Sequence, residues 1–138
     1  MKPLDIFKAQ PEQMPALWPH VEGYFRSFEE RSHGEIVAGD LLHAVMLGKK
    51  QCWVATNGEE IKACALTELM AGRMNVAILA FCAGVDREEW HREVVSEIEE
   101  WARANGAERV RIICRPGWAP ELKKLGFKES HRVLERDL

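Results

Sequence analysis

The sequence predicts a mixed α/β domain built on one central, mostly antiparallel sheet of six to seven strands flanked by helices, and three observations carry that expectation. Two strand-like runs, QCWVAT and EEIKACALTEL, meet through Asn57-Gly58, a dipeptide that tolerates positive φ and marks a hairpin. The run MNVAILAFCAG is apolar at both of its alternating positions, as expected of a central strand covered on both faces. The segment VDREEWHREVVSEIEEWARANGA places Trp90, Val94, Ile98 and Trp101 on one helical face and fills the other with Glu and Arg.

The remaining elements follow in chain order. LDIFKA alternates as a short strand, and Met14, Leu17, Trp18, Val21, Phe25 and Phe28 then recur at helical spacing. Pro11 and Pro15 suit first turns; Pro19 must either kink this helix or mark its true start. A polar link, RSHGEIVAG, leads to a shorter helix faced by Leu41, Leu42, Val45 and Met46, and Ala71-Gly72 marks a second hairpin. In the long helix Asp86 is placed as N-cap, Glu89 completes a capping box, and Val85 can staple against Trp90. ERVRIIC is a further strand, APELKKLG a short helix and FKESHRVLERDL a final strand. Residues 1–138 read as a single domain without repeats.

Composition narrows the function classes. Nineteen basic and 22 acidic residues are mixed along the chain, with no basic stripe for neutralising phosphates, so direct nucleic-acid binding is not expected. Cys52, Cys64, Cys82 and Cys114 form no C-x-x-C pair, and the histidines show no metal spacing, so no metal is expected. Each cysteine lies in an apolar run and reads as a small buried hydrophobe. MKPLDIFKAQPEQ lacks a signal-peptide core and no apolar run reaches membrane length, which suggests a reducing cytoplasm and no membrane.

The element order, together with LLHAVMLGKKQCWVAT...IKACALTEL and IICRPGWAPELKKLGFKE, resembles the GNAT acyltransferase superfamily over nearly the whole chain, and is similar to small GNAT-like proteins of bacteriophages and prophages. The resemblance implies a notch between the fourth and fifth strands that holds acetyl-CoA or another acyl-CoA, the fourth strand bonding the pantetheine arm. It implies direct acyl transfer to a small-molecule amine, or, in a catalytically silent phage-type accessory or virion protein, contact with a protein partner such as a phage structural protein. A homodimer and a bacterial host cytoplasm, or a virion, are compatible with it. Carried over residue by residue, the cofactor side falls on Phe81, Cys82, Ala83, Gly84 and Arg87, within the fourth strand and the loop AGVDRE.

That loop departs from the glycine-rich pattern of the family. Only Gly84 precedes the helix, and a capping Asp86 would occupy the N–H groups a pyrophosphate needs, with Glu88 and Glu89 repelling it. The short helix lacks a tyrosine to serve as acid; the one tyrosine, Tyr24, belongs to the first helix. Glu68, near the end of the third strand, is a weak candidate base, and a solvated carboxylate is the simpler reading. Cys82 stands where the thioester would lie, although a central-strand cysteine usually packs. His91 reads as exposed. Arg115 and Trp118 sit at the mouth of the expected notch, where ligands of α/β sheets collect, and are candidates for substrate or partner contact, with core packing the leading alternative for Trp118. Gly126 suits a left-handed helix ending, with Phe127 packing back on Leu122.

Overall fold

A computed structural model of the chain describes residues 3–138. Strand β1 (Asp5–Ala9) leads into α1 (Met14–Arg31) and α2 (Ala38–Met46), and the meander β2 (Gln51–Thr56), β3 (Ile61–Met70) and β4 (Val76–Gly84) follows. Then come α3 (His91–Ala104), β5 (Arg109–Ile112) and α4 (Ala119–Lys124), the last entered through a 3-10 turn at Pro116–Trp118. The sheet runs β1-β2-β3-β4-β5; its first three pairings are antiparallel, and β4 and β5 are parallel.

The turn chemistry acts as expected at Asn57-Gly58. Gly58 takes φ 91°, and the Asn57 carboxamide oxygen accepts from the N–H groups of Glu59 and Glu60 at 2.9 Å. Helix α1 runs through Pro19: Pro15 lies in its first turn, and Pro19 falls inside the helix instead of starting it.

Two apolar layers sandwich the sheet. On one face α1 and α2 lay Met14, Val21, Phe25, Phe28, Leu41 and Val45 against Cys52, Val54, Cys64 and Leu66. On the other, Trp90, Val94 and Ile98 meet Trp53, Ala63, Ala65 and Leu79. Alternation along the strands sorts these side chains, and helical periodicity supplies their partners.

Among the described residues the sheet has five strands where six to seven were expected, because FKESHRVLERDL forms no strand: residues 127–138 have no regular structure and pair with no described strand. A strand needs a neighbouring edge for its backbone groups and a surface for one face, and this segment meets neither within the chain. Val133 and Leu134 are 77% and 93% exposed.

The start of the long helix also differs. Asp86 adopts a left-handed conformation (φ 54°, ψ 56°) and makes no capping bond, so neither the N-cap nor the capping box forms. Helix α3 begins at His91 after a 3-10 turn over Arg87–Glu89. The expected staple is replaced by a hydrogen bond: the Trp90 indole N–H donates to the Val85 carbonyl at 2.8 Å, while Val85 itself is exposed. Gly126 does end α4 in a left-handed conformation (φ 96°), and the Phe127 N–H donates to the Leu122 carbonyl at 3.1 Å.

Candidate functional site

The geometry of the site starts from one extra residue in β4. Leu66 pairs with Phe81 and Thr67 with Leu79, so Ala80 is a bulge that shifts the alternation of the strand. Below it, β4 and β5 pair from Val76 with Arg109 to Leu79 with Ile112, and the Ile113 N–H adds a bond to the Leu79 carbonyl. Above it, β5 has ended while β4 continues to Gly84, which opens a notch between the two strands.

Alternation decides which backbone groups face that notch. The Val85 N–H donates to the Lys62 carbonyl at 2.8 Å, so Ala83 and Phe81, two and four residues earlier, also turn their backbone groups toward β3. Cys82 and Gly84 therefore direct their N–H and C=O groups to the β5 side. Their side-chain positions alternate too: Phe81 and Ala83 pack on the α1 face, and Cys82 packs on the α3 face. Burial pushes the Cys82 thiol up to about 12, which keeps it protonated and suits packing.

Gly84 is required by close approach. A Cβ there would meet the Lys62 carbonyl oxygen, would lie 2.7 Å from Cζ2 of Trp90, and would lie 2.9 Å from Cβ of Ala63. The bare backbone thus lets Trp90 seat against β3 and fixes where α3 begins.

The acids that were expected to close the helix start are held elsewhere. Lys62 Nζ donates to Asp86 Oδ2 at 2.7 Å and lies 3.4 Å from Glu89 Oε2 and 3.5 Å from Glu60 Oε1. The lysine is only 7% exposed, and these hydrogen bonds and charges, Asp86 first, raise its pKa well above the ordinary value. Two consequences follow. The carboxylates of Asp86 and Glu89 are neutralised in part by a cation, and α3 begins without a side-chain cap on its first-turn N–H groups.

Arg87 and Trp118 meet across the notch mouth. The Arg87 guanidinium lies 5.7 Å from the Trp118 ring centroid, and Trp118 is 6.1 Å from Trp90, half-buried against the α3-side core. Trp118 therefore serves packing while its outer face borders the notch. Arg115 is exposed, three residues past the end of β5 and just before the 3-10 turn.

Glu68 is not brought to this place. It pairs with Ile78, below the bulge, and its carboxylate lies 3.5 Å from Lys50 Nζ.

His91 corrects the sequence reading: it is 8% exposed, where an exposed position was expected. Its Nδ1–H donates to the Arg87 carbonyl at 3.0 Å, while Nε2 has no hydrogen-bond partner among the described residues and lies 4.0 Å from Glu121 Oε2. Its placement beside Trp90, three and four residues before Val94 and Val95, was the available signal. Cys114 is exposed where burial was expected, since it lies beyond the end of β5. Tyr24 donates to the Ile61 carbonyl at 2.8 Å, a structural bond away from α4.

Two shallow, open hollows lie elsewhere. One of about 300 Å³ sits over α2, lined by Gly39, Leu42, His43, Met46 and Leu47. The other, about 320 Å³, lies on α3 beside Arg92, Glu93, Ser96 and Glu97. Among the described residues, no group of three or more His, Cys, Asp or Glu is arranged to hold a metal ion, and no helix is long and apolar enough to cross a membrane.

A sheet of this order, bulged and then split between β4 and β5 with helices on both faces, is the GNAT acetyltransferase fold. The particular likenesses are structural. An aminoglycoside acetyltransferase from an uncultured soil metagenomic sample, solved in complex with sisomicin, is 12% identical with a TM-score of 0.71, over 98% of this chain and 96% of that one. An acetyltransferase of Trypanosoma brucei is 11% identical with a TM-score of 0.70, over 99% and 100%. A predicted acetyltransferase from Clostridium acetobutylicum, solved with acetyl-CoA, is 12% identical with a TM-score of 0.69, over 98% and 96%. No family model and no curated protein sequence matches the chain.

Proposed function

We propose that this chain is an N-acyltransferase that moves an acyl group from acetyl-CoA or another acyl-CoA to an amine. The observation that carries the reading is the pair of free backbone edges at Cys82 and Gly84 on the notch, followed through the 3-10 turn at Arg87–Glu89 by a helix whose first turn has no side-chain cap. Extended backbone with unpaired N–H and C=O groups is suited to the amide-bearing pantetheine arm. The helix start, with Arg87 beside it, is suited to the pyrophosphate. The solved fold neighbour that carries acetyl-CoA supports the same cofactor class.

In the transfer, the amine nitrogen forms a bond to the thioester carbonyl carbon, the C–S bond breaks, and CoA leaves as a thiolate. The Cys82 N–H, which faces the notch, is suited to donating to the carbonyl oxygen as it gains charge. The amine loses a proton to water or to a carboxylate, and the thiolate takes a proton from solvent. Without a tyrosine on α4 the acid step falls to water, and the loss of one general acid typically costs about 10²- to 10⁴-fold in rate.

A second reading, a catalytically silent protein-binding relative of phage type, is supported by the Arg87–Trp118 stack over the notch mouth and by the exposed Arg115 beside it. Calorimetry and thermal unfolding with acetyl-CoA and desulfo-CoA separate the two. A ligand at 100 times its Kd stabilises the fold by about 2.7 kcal/mol, a rise of roughly 10 °C for a domain of this size. No shift at millimolar concentration of either compound overturns the acyltransferase reading.

A further inference from the structure

We propose that His91 is the positioning residue for Arg87: its ring holds the Arg87 main chain at the start of α3, so that the guanidinium stands at the notch mouth where a pyrophosphate is received. The ligand named here rests on the acyl-CoA reading of the notch; the coupling of the two residues does not.

The chain breaks step just before α3. Trp90 leaves helical dihedrals (φ -131°, ψ -18°), so the 3-10 turn at Arg87–Glu89 and the helix that begins at His91 are not one continuous helix. In an unbroken helix each backbone N–H donates to the carbonyl four positions earlier. Across this break the His91 side chain reaches that same carbonyl: Nδ1–H donates to the Arg87 oxygen at 3.0 Å, beside the Trp90 N–H at 3.1 Å. Two donors thus fix the main chain of Arg87. Its side chain is fixed at the other end, where the guanidinium lies 5.7 Å from the Trp118 ring centroid and Trp118 lies 6.1 Å from Trp90.

The imidazole is itself held in place. It is 8% exposed, and Nε2, without a hydrogen-bond partner among the described residues, lies 4.0 Å from Glu121 Oε2 on α4. Glu121 in turn accepts from Lys124 Nζ at 3.2 Å. A carbonyl oxygen only accepts, so the proton is on Nδ1, and the bond to Arg87 sets the orientation of the ring. A buried ring nitrogen without a partner weakens the fold, and an apolar side chain would fill the place without that cost. What the imidazole supplies, and an apolar group cannot, is the bond to Arg87.

Asparagine and glutamine separate the two ring nitrogens, since an asparagine amide N–H falls near the place of Nδ1 and a glutamine amide N–H near that of Nε2. Calorimetry with acetyl-CoA is expected to give His91→Asn a Kd within about threefold of the unaltered chain, and His91→Gln a Kd about tenfold weaker. A ring kept only for its volume gives the opposite order, because glutamine is the larger. In the Arg87→Ala background His91→Gln is expected to add less than about twofold, since the group it positions is gone.

A second measurement needs no ligand. The chain is labelled with 5-fluorotryptophan, and the Trp118 resonance is identified by its loss in Trp118→Phe. His91→Gln and Arg87→Ala are expected to move that resonance in the same direction, and His91→Asn to leave it in place. A glutamine variant that binds as tightly as the asparagine variant, a loss that persists undiminished in the Arg87→Ala background, or a Trp118 resonance indifferent to His91→Gln each overturns the proposal. If the unaltered chain binds no acetyl-CoA while the Trp118 resonance responds as expected, the acyl-CoA reading fails and the coupling of His91 to Arg87 stands.

Discussion

Lys62 on β3 donates to the carboxylate of Asp86 at 2.7 Å, and this one bond decides the start of α3. It draws the acid away from the helix N–H groups and holds Asp86 in a left-handed conformation over the end of β4. A buried ammonium with Asp86, Glu89 and Glu60 around it also ties the loop after β4 to the middle of the sheet.

Replacing Lys62 with Met is expected to lower Tm by a few degrees at pH 7. The lysine's folded-state pKa is raised, so its contribution is complete below the unfolded value of about 10.5 and is lost as pH rises toward the folded one. The Tm gap between wild type and Lys62→Met should therefore narrow above pH ~10.5. A gap independent of pH across that range would refute the pairing as its source.

Gly84→Ala brings a methyl group against the Lys62 carbonyl, Trp90 and Ala63. Overpacking of this kind costs about 1–3 kcal/mol. Chemical denaturation should show the loss, with a change in Trp fluorescence as Trp90 shifts. An unchanged midpoint would show that the strand end can yield.

Tyr24→Phe removes a hydroxyl that donates to the Ile61 carbonyl and should cost about 0.5–1.5 kcal/mol. Burial raises the phenol's pKa, so its stabilisation, too, is present below the ordinary value of 10.0 and declines in alkaline solution. Because the hydroxyl is committed to β3, any acyl transfer measured with acetyl-CoA should keep its rate within about twofold in this variant. A fall of 10²-fold or more would make Tyr24 the acid after all.

Trp118→Ala removes a half-buried indole stacked between Arg87 and Trp90. Fully buried tryptophans cost about 3–5 kcal/mol on truncation, and a half-buried one roughly half of that. Arg87→Ala should leave stability nearly unchanged and weaken acetyl-CoA binding by about tenfold, since it removes a cation at the helix start that, unlike Lys62, is not held by Asp86 and Glu89. Binding that is indifferent to Arg87 would place the pyrophosphate elsewhere.

Much of the architecture was legible from local patterns. The Asn57-Gly58 hairpin, the apolar β4 and the face carrying Trp90, Val94 and Ile98 are each written within a few residues, because alternation and helical periodicity report directly which side chains are buried. The same local rules misread Asp86. An acid three residues before Glu89 satisfies the capping pattern, but the pattern does not contain Lys62, which lies 24 positions earlier and reaches the acid only once β3 and β4 pair. His91 was misread for a related reason: its burial depends on α4 and on Glu121 folding against it.

By itself, then, the sequence determined the order of elements as far as α4, the two faces of the sheet and the place of β4 with Gly84 at its end, since these depend on residue spacing and turn chemistry alone. Only the tertiary structure decided that Ala80 bulges and turns Cys82 and Gly84 toward the notch, that Lys62 takes the acids from the helix start, and that residues 127–138 find no strand partner. Each of these is settled by a neighbour distant in the chain, whose hydrogen bond or surface competes with the local preference and wins or, at the C-terminal segment, is missing.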